Sequence, residues 1–254
     1  MKDTTIGLIA AMPDEIRPLL RLAGRHEKER IAGFATYRFD LGGRHVFLVE
    51  SGMGTERAAM AAGLLIDRAS PAIVVNFGFG GAVTAGPAVG DIVVATRILL
   101  QRGRLFSEQP GLAPELAEKT ATLLDGNHVL DGQVHRGTFV TAAEIVSKGA
   151  VAGLLPAGVA TPVLEMETAA VARVAARERV PLVALRGISD GAEEELGFTI
   201  DEFADREMRI RPGKVLLTVA RKPWIIPQLV RLARNSRLAG RTLAKGVMAV
   251  VTHL

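Results

Sequence analysis

The sequence predicts an α/β fold: a single three-layer domain in which a central mixed, largely parallel β-sheet is flanked by helices, with a helical extension at the C-terminus. Three observations predict it. Apolar runs of strand length recur along the chain, and most are followed by a stretch with helical spacing. The composition, 48% hydrophobic with 27 glycines and one Trp in 254 residues, suits a core of Val, Ile, Leu and Ala with many tight turns.

The first run, Ile6–Ala10, is apolar throughout, as a strand covered on both faces should be. It leads into Pro13, Asp14 and Glu15, a proline and two acids suited to a helix start, and a helix is predicted over Asp14–Leu22. Further strands are predicted at His45–Glu50, Ile73–Phe77, Asp91–Ala95, Val163–Glu165 and Leu182–Ile188, each closed by Gly or a polar residue. Helical spacing of apolar residues predicts helices over Glu56–Asp67, Pro114–Leu124, Ala142–Lys148, Thr168–Arg177 and Ile200–Arg209. No repeat, low-complexity tract or linker interrupts residues 1–205, which are read as one catalytic domain, with 206–254 as a basic amphipathic extension.

Composition excludes several chemistries. There is no cysteine, so disulfides, thiolate metal sites and a catalytic thiol are ruled out. The five histidines, His26, His45, His128, His135 and His253, show no metal-ligand spacing, and no metal or other cofactor is expected. No run approaches the ~18 consecutive apolar residues of a membrane span, which predicts a cytoplasmic protein. The net charge of +4 conceals a division: from Arg206 onward there are 11 basic residues and one acid, against 20 basic and 26 acidic residues before it.

Ligands of open α/β sheets bind where strands end and helices begin. At such points stand Met12-Pro13-Asp14-Glu15, the glycine-rich loop Asn76-Phe77-Gly78-Phe79-Gly80-Gly81, Glu165-Met166-Glu167 and Arg186-Gly187-Ile188-Ser189-Asp190. Singly, each has a plain structural reading: Glu15 complements a helix dipole, Asp190 caps a helix, and the glycines make turns. Three acidic clusters and a glycine-rich loop on one rim point instead to a site. Glu165 and Glu167, two apart on an extended segment, are expected to face the same way.

Leu164-Glu165-Met166-Glu167-Thr168-Ala169-Ala170-Val171-Ala172 resembles the ribose-holding segment of the nucleoside phosphorylase and nucleosidase superfamily. Arg186-Gly187-Ile188-Ser189-Asp190 resembles its partner motif at the purine. The opening Ile6-Gly7-Leu8-Ile9-Ala10-Ala11-Met12-Pro13-Asp14-Glu15 is similar to the start of methylthioadenosine/S-adenosylhomocysteine nucleosidases. Ser51-Gly52-Met53-Gly54, Asn76 to Ala82 and Gly90-Asp91-Ile92-Val93-Val94 extend the likeness in order over residues 1–205.

This resemblance implies cleavage of the N-ribosidic bond of an adenine nucleoside, a reaction that leaves positive charge on the sugar and negative charge on the base. It assigns Asp190 as the general acid that protonates the base and Glu15 as the general base that activates water. Glu167 would hold the ribose 2′ and 3′ hydroxyls, with Glu165 beside it. Met12, Met53 and Met166 would line the sugar, Gly80 would lie against the substrate, and Arg186 and Ser189 would orient the acidic groups. Methionines are also ordinary core fillers, and Arg186 could equally form a structural ion pair. A phosphorylase needs cations for phosphate; Pro13-Asp14-Glu15 and Asn76-Phe77-Gly78 stand where the phosphorylase branch places arginines, so water is favoured, with Arg17 and Arg57 leaving phosphorolysis as the alternative. A catalytically silent nucleoside sensor is a further alternative. A dinucleotide site is not indicated, because Val83 occupies the third position of the G-x-G-x-x-G spacing.

Two departures bear on the substrate. Phe79 replaces a small hydroxyl residue, and Ala142-Ala143-Glu144-Ile145 replaces the segment whose aromatic side chain stacks on the purine. In the extension, Arg231, Arg234, Arg237, Arg241 and Lys245 recur along one helical side, with Leu229, Leu232, Ala239 and Leu243 on the other. It resembles the Arg-rich C-terminus of hopanoid-associated phosphorylase-like proteins, which implies a 5′-modified, lipid-linked adenosine and peripheral contact with the inner face of the membrane. The plain reading is packing on its own domain or on a partner subunit. The family precedent implies a homodimer, and nucleic acid is not expected because aromatic stacking residues are scarce.

Overall fold

The computed structural model describes residues 4–126, 130–144, 146–194, 218 and 221–253. In chain order these form β1 (Thr5–Ala10), α1 (Pro13–Ala23), β2 (Glu27–Ile31), β3 (Phe34–Leu41), β4 (Arg44–Glu50), α2 (Thr55–Ala69), β5 (Ile73–Ala82), β6 (Ile92–Arg102) and β7 (Leu105–Glu108). There follow α3 (Pro114–Asp125), β8 (Val134–Ala142), α4 (Lys148–Ala152), β9 (Pro162–Glu165), α5 (Thr168–Arg177), β10 (Leu182–Asp190) and α6 (Ile226–His253), the last preceded by a 3-10 turn at Pro223–Ile225. The helix expected at Ile200–Arg209 lies outside the described residues.

The strands join in one mixed sheet whose hub is β5. It runs parallel to β1 on one side and to β10 on the other, and its end pairs antiparallel with β9. Through β10–β6, β6–β8 and β8–β9 pairing, the sheet curls until β5, β10, β6, β8 and β9 close a ring. Strands β1, β4, β3 and β2 continue from β5 as an open wing, and β7 folds back as a hairpin on β6. Ala82, Val93, Ala95, Phe139, Val163, Ala184 and Ile188, one or two from each strand of the ring, form a small apolar cluster. The guanidinium of Arg186 lies over the Phe139 ring, 5.4 Å from its centroid.

Helices cover both faces and make three layers. On one face α1, α3 and α6 pack on Ile6, Leu8, Val75 and Val183; on the other α2 and α5 pack on Ile9, Val49 and Val74. Alternate residues of β1 thus serve opposite cores, which is why its sequence is apolar without a break. The second half of α6, from Ala239 to Val251, is largely buried and belongs to the first core, whereas Trp224, Ile226, Val230 and Leu238 ahead of it are exposed.

Two sequence expectations need correction. The glycine-rich stretch after Phe77 is not a loop: β5 continues to Ala82, because its ladder with β10 runs on to Gly81. The helix expected at Ala142–Lys148 does not form. Instead β8 extends to Ala142 between β6 and β9, and α4 begins only at Lys148, after Ser147 caps it by accepting the Ala150 N–H. Ala142 stays in the ladder with Gln101 of β6, and the Ala143 N–H also bonds to the Gln101 carbonyl, so the two alanines are held to the sheet edge and do not start a helical turn.

Candidate active site

The carboxyl ends of β1, β5, β9 and β10 meet the first turns of α1, α2 and α5, and buried carboxylates gather there. Glu15, in the first turn of α1, is turned back toward β1. Its Oε2 accepts the Ala11 and Met12 N–H groups at 2.8 Å each, and its Oε1 accepts the Phe79 N–H from β5 at 2.8 Å. This approach explains Gly78, where a Cβ would lie 2.7 Å from Glu15 Oε1. Glu167, at the start of α5, reaches across to the turn before α2, where its Oε1 accepts the Gly54 N–H at 2.8 Å.

Glu165 and Arg186 hold these groups from beneath. The Arg186 Nη2 donates to Glu165 Oε2 at 2.6 Å, Thr168 Oγ1 at 2.7 Å and Asn76 Oδ1 at 3.0 Å. Glu165 Oε2 also accepts the N–H groups of Glu167 and Thr168, and its Oε1 accepts the Thr141 hydroxyl. Every partner is buried. Glu165 and Glu167 therefore do not act as a matched pair: β9 ends at Glu165, whose oxygens are taken up internally, while Glu167 stands two residues on at the N-cap of α5, where the backbone has left the extended conformation.

Asp190 closes β10. Ile188 pairs with Gly80 but Asp190 pairs with Gly81, so Ser189 is an extra residue in the ladder, and the bulge re-aims the Asp190 carboxylate over β5. A Cβ at Gly81 would lie 2.6 Å from Asp190 Oδ2, so only glycine leaves this space. The Ser189 hydroxyl donates to Asp190 Oδ1 at 2.7 Å, and the Lys148 ammonium donates to Asp190 Oδ2 at 2.6 Å. The same ammonium donates to the Gly191 carbonyl.

The electrostatics separate the carboxylates. Burial raises the titration of Glu15 above the ordinary carboxylate range, opposed by the three backbone donors and by Arg186. Burial, followed by the Glu165 charge, pushes Glu167 up to about 8, with Arg186 and the Gly54 N–H pulling the other way. Burial would also raise Glu165, but Arg186, the Thr141 and Thr168 hydroxyls and the Glu167 N–H outweigh it, and Glu165 titrates below its ordinary value. Arg186 thus favours the ionised form of Glu165, while burial favours the protonated forms of Glu15 and Glu167.

Of the residues singled out in the sequence, Glu15, Glu165, Glu167, Arg186, Ser189 and Asp190 come together at this rim. Met12, Met53 and Met166 are only half-buried, unlike core methionines, and each adjoins a carboxylate contact: Met12 N–H on Glu15, Met53 before Gly54, Met166 N–H on Glu167. Gly80 lies in the strand beneath Arg186, where a Cβ would meet Arg186 Cβ at 3.3 Å. Sequence reasoning missed Lys148, Thr141 and the Asn76–Thr168 pair. Only Lys148 left a trace, as a lone cation after a serine that can cap a helix.

The family model described as the phosphorylase superfamily matches residues 5–221. A 5′-methylthioadenosine/S-adenosylhomocysteine nucleosidase of Exiguobacterium sp. is 30% identical over 228 residues, covering 85% of this chain and 97% of the relative. The fold is shared with the 5′-methylthioadenosine/S-adenosylhomocysteine nucleosidase of Helicobacter pylori, with a TM-score of 0.74 at 19% identity over the whole of both chains. It is shared too with the futalosine hydrolase of the same organism, with a TM-score of 0.72 at 18% identity over 99% of each chain.

Proposed function

The chain belongs to the phosphorylase superfamily, on its nucleosidase branch, and from that premise we propose that it hydrolyses the N-ribosidic bond of a 5′-modified adenine nucleoside, releasing adenine. The observation that carries the choice of water over phosphate is Glu15. A buried carboxylate with its oxygens fixed by three backbone N–H groups supplies a proton acceptor where a phosphorylase needs cations for a dianion. The basic residues left as alternatives support the same reading. Arg17 is exposed and paired with Asp14, and Arg57 is folded back on the Ser51 carbonyl and over the Phe34 ring.

In this mechanism Glu15 takes a proton from water as it attacks C1′, and Asp190 delivers a proton to the departing base. Glu167 accepts hydrogen bonds from the ribose hydroxyls, and its charge stabilises the sugar cation. Met12, Met53 and Met166 exclude bulk water around the sugar, Gly80 admits Val163 and Arg186 close beneath the site instead of lying against the substrate, and Glu165, Arg186 and Ser189 hold the acidic groups in place. Adenine release from methylthioadenosine, S-adenosylhomocysteine or adenosine is expected at the same rate with and without phosphate. A strict phosphate requirement would establish a phosphorylase instead.

The exposed part of α6 supports the finer reading of a lipid-linked substrate met at an anionic membrane. Trp224, Ile226 and Val230 are exposed near Arg231, Arg234 and Arg237, so apolar and basic groups share one exposed stretch. The protein should sediment with phosphatidylserine vesicles at low salt and much less so when these three arginines are replaced by serine. Equal recovery of both proteins would remove the membrane from the reading.

A further inference from the structure

A lysine is seldom buried, and burying an ion pair adds little to stability, because desolvation of both charges offsets their attraction. Lys148 is 8% exposed, at the start of a short helix fixed by the Ser147 cap. Its ammonium contacts the one site carboxylate that lies at the end of β10, at 2.6 Å. With Ser189 on Oδ1 and Lys148 on Oδ2, both oxygens of Asp190 are already engaged. The pair is seated on β5 at Gly81, where a Cβ would lie 2.6 Å from Asp190 Oδ2 and 3.2 Å from Lys148 Cδ. A carboxylate held in this way needs a source for any proton it passes on, and the ammonium in contact with it is such a source.

We propose that the proton taken up by the departing base is stored on the Lys148–Asp190 pair, with Lys148 holding it and Asp190 handing it over. The inference rests on the hydrolytic reading above. As the bond from C1′ to the base breaks, its electron pair stays with the base. Asp190, held as a carboxylate by Ser189 and Lys148, takes a proton from the Lys148 ammonium, which becomes a neutral amine, and passes that proton to the base. Water adds to C1′ and loses its proton to Glu15; solvent then carries that proton back to Lys148, and the sum is nucleoside plus water giving free base and ribose. Lys148 is thereby a positioning residue that acts through Asp190 and also loads it.

Two variants separate loading from mere clamping. Lys148→Arg keeps the charge and the donor to Asp190, but a guanidinium does not give up its proton in proteins. Lys148→Met removes both. Adenine release by the full-length protein is expected to fall by about 10²-fold or more in kcat for both variants, the scale of general acid catalysis, with KM changed less than about threefold. Lys148→Arg decides the matter even if Lys148→Met fails to fold. Rates within about threefold of wild type for Lys148→Arg would overturn proton storage, as would an undiminished Lys148→Met, and either result would leave the hydrolytic reading intact. Absence of adenine release by the wild-type protein itself would overturn that reading and this inference with it.

Discussion

Asp190→Asn should abolish adenine release, with kcat lower by between about 10² and 10⁴ while nucleoside binding measured by calorimetry stays within a few-fold of wild type. The amide retains the shape of the side chain and can still accept from Ser189 or Lys148, so the bulge at Ser189 and the seat on Gly81 should persist. What it lacks is an acidic proton for the base. Because the reaction leaves an electron pair on that base, the deficit falls on the transition state, and a loss in kcat without a matching loss in binding is its signature. Undiminished turnover would remove Asp190 from the chemistry.

Glu15→Gln should be as damaging, for a different reason. A carboxylate offers an acceptor on each oxygen, and here one faces the Ala11 and Met12 N–H groups while the other faces Phe79 N–H. An amide can satisfy only one side and must point its NH₂ at a donor on the other, so a stability loss of about 1–3 kcal/mol should accompany a rate loss of about 10²-fold or more. The pH profile gives the direction of the wild-type effect. A base works ionised, and both Glu15 and Glu167 are raised by burial, Glu167 to about 8, so kcat/KM should climb with pH into the range near 8 instead of levelling off above an ordinary carboxylate. Glu15→Gln should retain only the Glu167 part of that climb. A wild-type profile flat from pH 5 upward would contradict both assignments.

The sequence made the layers legible because fully covered strands such as Ile6–Ala10 carry no alternation to misread, and because Pro13, Asp14 and Glu15 mark a helix start chemically. It hid the curling of the sheet. Closure of β5, β10, β6, β8 and β9 depends on which edges meet, and nothing local to β8 shows that it pairs with β6 on one side and β9 on the other. The wing carries a local signal of its own: Gly42-Gly43 between β3 and β4 is a two-residue hairpin turn, and both glycines adopt positive φ, 60° and 76°. At the site, acidic residues could be found from their positions at strand ends. The contribution of Lys148 could not, since it depends on a bulge at Ser189 and a missing side chain at Gly81, two features that sequence spacing does not encode.

The long-range hydrogen bonds of the rim also fix when, during synthesis, each part of the site can exist. Glu15 emerges early from the ribosome but lacks its β5 partner until Phe79 has followed, 64 residues later. Gly54 waits 113 residues for Glu167, and Asn76 waits 110 for Arg186. A nascent chain halted before β10 would therefore hold Glu15 with its three backbone donors in place while Glu165 still lacked its counter-charge, so the rim is completed from α1 towards β10.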